Sequence, residues 1–339
     1  MSERRAIWPS PDGPRQDVVD ARGYHRVVTQ NHTRSGLLYA VSAYTLWGIL
    51  PGYFLLMAPA TAFEVVGWRV LFSLVFCALV MTVTRTWRAL LAVAKQPRVL
   101  LTVGLAGHLV LVNWTTYVYG TLSGHVIETA LGYFINPIVT VLFGVVLLRE
   151  RLRPLQWAAV GLSVVAVLVL TLNYGALPWI ALVLAASFGL YGLIKKQVGD
   201  RVDALTGLTL ETAWLVPAAL LMLFIVSGTA GITFGTVSPL HTVAILSAGV
   251  VTAVPLLLFA SGARRLPLTY MGLTQYLAPV LQFLFGVFVV REEMPAERWI
   301  GFGLVWLALL LLTVDMFVSV QSRRKTAALA PEAASVTAR

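Results

Sequence analysis

Cysteine occurs once in 339 residues, at Cys77, which excludes an internal disulfide and a thiolate metal cluster. Charge is also scarce: Asp, Glu, Lys and Arg make up 12% of the chain, whereas soluble domains carry about 25%. Acidic residues are the rarer sign, 15 against 25 basic ones. The chain contains no G-x-x-x-x-G-K-[ST] phosphate loop, no H-E-x-x-H metal helix, no G-x-S-x-G nucleophile elbow and no paired-aspartate motif. Nucleotide hydrolysis through a phosphate loop is thereby excluded, and no catalytic residue, metal or cofactor is expected.

Apolar residues are what the chain has in abundance. At 58% hydrophobic with a mean hydropathy of +0.81, it lacks the polar surface that a water-soluble protein of this size needs, and belongs in a bilayer. The net charge of +10 does not point to nucleic acid, because the basic residues lie in short clusters between apolar runs.

A spanning helix takes roughly 20 apolar residues to cross about 30 Å of hydrocarbon. Ten runs of that kind read as 35–57, 65–84, 99–120, 126–148, 155–172, 177–194, 204–227, 240–263, 268–290 and 299–320. The fifth and sixth are short and separated only by Asn173, Tyr174, Gly175 and Ala176. Residues 1–34, with Pro9, Pro11 and Pro14, and residues 321–339 are expected to be mobile tails. No cleavable signal peptide is expected, so the first span directs insertion. Trp87, Trp157, Trp179 and Trp299 lie near span ends and read as interfacial anchors.

Orientation follows from Lys and Arg, which resist translocation. With the N-terminus inside, the cytoplasmic segments hold the basic residues up to Arg34, then Arg85, Arg88, Lys95 and Arg98, Arg149, Arg151 and Arg153, Lys195, Lys196 and Arg201, Arg264 and Arg265, and Arg323, Arg324, Lys325 and Arg339. The external loops keep only Arg291 and Arg298. Both termini are therefore expected inside, and the sequon Asn31-His32-Thr33 is a coincidence.

The stretch Gly132 to Trp157 returns in altered form from Thr274 to Trp299. Pro137, Gly144, Arg149, Glu150 and Trp157 fall opposite Pro279, Gly286, Arg291, Glu292 and Trp299, each pair 142 positions apart (279 − 137 = 142). Trp47 and Gly48 echo Tyr191 and Gly192 at an offset of 144. Repeats about half the chain long are how many membrane transporters are built, with the substrate path where the halves meet. Five spans per half, an odd number, force equivalent helices to point in opposite directions. The expected architecture is an all-α integral membrane protein of ten transmembrane helices in two inverted five-helix repeats, residues 35–172 and 177–320.

SAYTLWG (Ser42–Gly48), LGYFINP (Leu131–Pro137), PWIALVLAASFGLYG (Pro178–Gly192), VDALTGLTLET (Val202–Thr212), ARRLPL (Ala263–Leu268) and QYLAPVLQF (Gln275–Phe283) resemble RarD-type permeases of the EamA branch of the drug/metabolite transporters. The resemblance covers about residues 33–320. It implies ten helices in two inverted repeats, a bacterial inner-membrane location, and secondary transport or export of a small molecule. The subgroup's name records a link with chloramphenicol sensitivity, which does not establish a substrate.

Candidate site residues are polar groups that lipid makes expensive. Glu128, Gly132, Asn136 and Thr140 form a stripe on the fourth span, and Gln275, Pro279, Gln282 and Gly286 form one on the ninth; Tyr133 and Tyr276 adjoin them. Pro137 and Pro279 each remove an N–H and can free a carbonyl, and matched interruptions point to a midplane site, although simple kinking for packing reads the same way. Asn113, Thr116, Tyr117 and Gly120 share a face of the third span, either a polar seam or a substrate wall. Arg69 and Glu211 are further ionisable groups inside apolar runs. An ion pair of Arg69 with Glu128 or Glu211 would reduce the cost of both charges, and either carboxyl is a candidate proton site. Glu64 and His125 are expected to be ordinarily solvated, Asp315 to be solvated at a helix end, and His108 and His241 to be structural. Expected partners are a small-molecule substrate, lipid and, for proton coupling, protons; a homodimer is compatible and nucleic acid is not expected. An integral-membrane enzyme using Glu128 and His125, or a channel, is the alternative reading.

Overall fold

A computed structural model describes the backbone of residues 34–149, 152–174, 177–198, 202–263, 265–266 and 268–336. The N-terminal tail with its sequon, and Arg151, Arg201 and Arg264 of the charge asymmetry, lie outside the described residues.

Among the described residues, nine helices are long and apolar enough to cross a membrane, and the shorter apolar Trp179–Lys195 makes a tenth pass. In chain order they are α1 (Arg34–Leu55), α2 (Ala62–Thr84), α3 (Pro97–Leu122), α4 (Val126–Leu148), α5 (Pro154–Tyr174), α6 (Trp179–Val198), α7 (Ala204–Gly228), α8 (Pro239–Ala263), α9 (Tyr270–Val290) and α10 (Ala296–Val336). Local chemistry sets the ends. Thr61 caps α2 by accepting from the Glu64 N–H at 3.2 Å, and Asp203 caps α7 by accepting from the N–H groups of Leu205 and Thr206 at 3.1 and 3.0 Å. Pro97 opens α3, where its missing N–H costs nothing.

Ten consecutive crossings put the C-terminal ends of α2, α4, α6 and α8 on one face, with Arg85, Arg88, Lys95, Arg98, Arg149, Arg153 and Arg265 among the described residues there; the C-terminal ends of α1, α3, α5, α7 and α9 lie on the opposite face. A short helix, Trp87–Ala94, joins α2 to α3 on the basic face and was not legible as a separate element. Beyond its membrane-spanning part, which ends at Val318, α10 continues as helix to Val336.

The packing pattern repeats when each helix is exchanged for the one five places away. The α2–α7, α4–α9 and α5–α10 contacts map onto themselves, and α2–α8 maps onto α7–α3. The extensive α4–α6 and α3–α6 interfaces have counterparts in α9–α1 and α8–α1. Inversion is seen directly, because Glu292 at the C-terminal end of α9 binds the backbone N–H groups of Val126 and Ile127 at the N-terminus of α4. Arg149 and Arg291, which end those two equivalent helices, both adopt a left-handed backbone with φ of 55° and 58°.

The expected match between the two proline interruptions is corrected. α4 stays helical through Pro137. α9 is offset at Gln275 and Tyr276 and closes with a π turn, Gly286–Val290. Pro279 removes the N–H that would return to the Gln275 carbonyl, which favours a break there. Gly286 allows the close approach beside it: a Cβ would stand 2.6 Å from Ile127 Cγ1.

Candidate substrate chamber

Arg69 on α2 is 6% exposed. Its Nε donates to Thr252 Oγ1 on α8 at 2.8 Å, and its guanidinium carbon lies 4.1 Å from the Trp114 ring centre on α3 and 5.4 Å from that of Phe54 on α1. Tyr53, Tyr117 and Tyr133 are near enough to interact with it electrostatically. The Tyr117 ring sits 6.0 Å from Phe54 and 5.7 Å from Tyr133. The first half thus supplies the aromatic wall of a candidate chamber around this cation, and the second half contributes Thr252.

The expected ion pair is not formed. No ion pair among the described residues includes Arg69, because both carboxylates are engaged elsewhere. Glu211 on α7 accepts from Lys195 Nζ of α6 at 2.6 Å and from Tyr191 Oη at 3.4 Å. Glu128 on α4 accepts from the N–H groups of Ile180 and Ala181 at 2.9 and 3.4 Å, at the start of α6. A carboxylate at a helix N-terminus meets oriented amides that a distant arginine cannot outcompete.

The stripe that Glu128 begins is a packing seam rather than a free wall. A Cβ on Gly132 would lie 2.9 Å from the Ala181 carbonyl oxygen, Asn136 Nδ2 donates to the Ala185 carbonyl at 3.3 Å, and Thr140 Oγ1 faces Gly189. All three meet α6. On α9, Gln282 Nε2 donates to the Trp47 carbonyl at 3.0 Å and Gly286 meets Ile127, so that stripe faces α1 and α4. Tyr276 lies beside Gln275 and Thr313 and packs into the cluster of α4, α5, α9 and α10, so neither joins the group around Arg69. Asn113 on α3 is a hub: Nδ2 donates to the Leu184 carbonyl and Ser187 Oγ, each at 3.2 Å, while Oδ1 accepts from Tyr133 Oη at 3.0 Å. Of the expected residues, Arg69, Tyr117 and Tyr133 come together at the chamber, Asn113 supports them through Tyr133, and Asn136, Pro137, Gln275, Tyr276, Pro279 and Gln282 belong to helix seams.

Two expectations about solvation are corrected. Glu64 is fully buried and accepts from the N–H groups of Thr233 and Phe234 at 2.7 and 2.9 Å and from Thr233 Oγ1 at 2.9 Å. The α7–α8 loop folds over it and supplies the amides. Asp315 is buried and pairs with Arg153 Nη1 at 3.3 Å, across the start of α5 and the end of the membrane-spanning part of α10. His108 and His241 are structural as expected, each with a ring nitrogen within 2.8 and 2.9 Å of the Gly104 and Met57 carbonyls.

Glu64, Glu128 and Glu292 all lie at the opposite face, and each binds backbone amides of the other half. Glu292 lies between α9 and α10. Burial raises its carboxyl above the usual range, while the Ile127 and Val126 amides and the charge of Arg298 pull it back down. On the same face, Thr61, Phe63, Thr115, Thr116, Tyr119 and Trp179 line part of a groove of about 530 Å³, to which Thr116 is the one expected candidate that contributes.

Lys195, Thr252 and Phe54 escaped the sequence reading. Lys195 looked like one more cytoplasmic charge, although its spacing of four from Tyr191 puts both on one helix face, toward Glu211. Gly207 makes room for it: a Cβ there would stand 2.9 Å from Lys195 Nζ.

The model of the EamA-like transporter family matches residues 34–172 and again 177–314. Over 311 residues, 91% of this chain and 98% of the relative, the sequence is 43% identical to Protein RarD of Streptomyces exfoliatus. It is 38% identical over 284 residues to an uncharacterized transporter, YojE, of Bacillus subtilis strain 168, covering 83% of this chain and 94% of that one. One solved crystal structure shares the fold with a TM-score of 0.54 at 18% identity, over 83% of this chain and 98% of its own.

Proposed function

Because the chain belongs to the EamA-like transporter family, among RarD-type permeases, and is a multi-pass membrane transporter, we propose that it is a secondary carrier of a small metabolite or drug working by alternating access. The inverted halves rock about the chamber of Arg69, Trp114, Tyr117 and Tyr133. The observation that carries this reading is the distribution of contacts between the halves. At the opposite face three carboxylates, the buried Glu64 and the half-buried Glu128 and Glu292, each hold amides of the other half. At the basic face Lys195–Glu211 joins two helices of a single half, and among the described residues only Arg153–Asp315 is an ion pair between halves. The basic face is joined across the halves by apolar packing instead, as of Val93, Val99 and Val103 against Val198 and Leu210, so the carboxylate–amide clasps lie on one side only, which suits a carrier closed there.

The bias of positive charge supports a cytoplasmic basic face in a bacterial inner membrane, with both termini inside. The closed side is then external. Of the two candidate proton sites, Glu211 suits coupling better, since protonating it breaks its pair with Lys195 next to the chamber, whereas Glu128 is a clasp.

Flux in sealed proteoliposomes tests the reading. A carrier gives saturable flux that follows a gradient; flux that rises linearly without saturation would mean a channel, and product formation in detergent would mean an enzyme. Glu211→Gln is expected to flatten the pH dependence of flux. Unchanged pH dependence in that variant would remove Glu211 from the coupling step.

A further inference from the structure

The Arg69 guanidinium has protein partners for only part of its hydrogen-bonding capacity. Thr252 Oγ1 takes Nε, and no hydrogen bond runs from either Nη group to a described residue. Nor do the Nη groups count among the sealed, unpartnered polar atoms of the interior, so each keeps some accessible surface in a residue that is 6% exposed overall. Trp114 covers the guanidinium at 4.1 Å. One edge fixed by Thr252, one face stacked on an indole and two donors left over make an arrangement preorganised for a planar, bidentate acceptor.

The comparison with Glu211 sharpens the point. Glu211 occupies the equivalent place in the other half and has a counter-ion at 2.6 Å. Arg69 has only ring faces, which stabilise a cation in part. A cation retained in apolar surroundings without an anionic partner is a functional group by default, and the missing partner is an anion. Phe54, Trp114, Tyr117 and Tyr133 wall the space beside it and suit an apolar or aromatic body.

We infer that Arg69 is the substrate-binding cation and that the transported solutes are small organic carboxylates with an apolar or aromatic body. This rests on the carrier reading above, and names its substrate class.

The test measures binding to the purified full chain in detergent, by thermal shift and tryptophan fluorescence, with benzoate and 3-phenylpropionate against the matched amides benzamide and 3-phenylpropionamide. The wild type is expected to bind the carboxylates saturably and about 10-fold more tightly than the amides. Arg69→Gln should abolish that preference, and Arg69→Lys, which keeps a charge but not the fork, should retain a fraction. Equal binding of acid and amide, no saturable binding of either, or an undiminished preference in Arg69→Gln overturns the inference. Should Arg69→Gln fail to fold, Thr252→Val frees the fork without removing the charge; carboxylate affinity is expected to fall about threefold, and an unchanged affinity overturns it. Vesicle flux separates the two levels: saturable transport without carboxylate preference leaves the carrier standing and removes this inference, and carboxylate binding without flux keeps Arg69 as a carboxylate site but removes the carrier and, with it, the claim that carboxylates are its cargo.

Discussion

Arg69 and Glu211 stand at equivalent positions of the two halves with opposite charge. Each lies seven residues past the first residue of its helix (69 − 62 = 7; 211 − 204 = 7), and they are 142 apart (211 − 69 = 142), the same offset as the repeat. Because the halves are inverted, each sits about 10 Å in from its own membrane face, given a rise of roughly 1.5 Å per residue. Arg69 is thereby near the face that carries Glu64, Glu128 and Glu292, and Glu211 near the basic face. The two buried charges are thus offset along the membrane normal, with opposite sign.

The Lys195–Glu211 pair should be costly to break from one side. Lys195→Met leaves a buried carboxylate unpaired, and thermal unfolding in detergent should show a loss of roughly 1–3 kcal/mol, less than the ~3–5 kcal/mol of a fully buried pair because Lys195 still reaches solvent. The double change Lys195→Met/Glu211→Gln should recover part of it. Equal destabilisation by the single and double variants would mean that the two groups act independently.

The seams depend on glycine contact. Gly132→Ala puts a Cβ 2.9 Å from a backbone oxygen of α6, whereas Gly161→Ala meets nothing within 4 Å. The first should destabilise by about 1–3 kcal/mol from overpacking and slow transport, while the second should leave melting temperature and flux as they are. Both substitutions behaving alike would show that the α4–α6 contact does not limit either property.

Glu292 gives the contact between α9 and α4 a pH dependence with a defined sign. Its folded carboxyl titrates above the unfolded value of 4.5, so the folded protein binds the proton more tightly. That contribution is fully present below the unfolded value and is lost as pH rises through the folded one. Melting curves between about pH 4 and 7 should show the wild type gaining on Glu292→Gln as pH falls. A difference that shrinks on acidification would contradict the burial argument.

Topology can be read with thiols, because the native Cys77 is buried. A cysteine at Glu293 should react with a membrane-impermeant maleimide in intact cells, and one at Lys95 only after permeabilisation. Labelling of both from the same side would dismantle the inverted arrangement.

Much of the fold was legible because lipid imposes a coarse rule: helices must be apolar and long enough, and charge must stay where it is cheap. α4 spans 126–148, the residues marked by composition alone. The repeat register foretold that Arg149 and Arg291 end equivalent helices, and both do so with the same left-handed turn. The candidate site was less legible. A stripe such as Glu128, Gly132, Asn136 and Thr140 has the same periodicity whether it faces a substrate or another helix, and only the neighbour, α6, decides between them.

The sequence by itself determined the solvent, the ten passes and the inversion, since each follows from hydropathy along one chain and an odd number of spans per repeat. Tertiary structure alone decided which charges meet. Partner choice is a matter of Ångström-scale geometry between helices distant in sequence, and it gave Glu211 to Lys195, Glu128 to the amides of α6, and Arg69 to the face of Trp114.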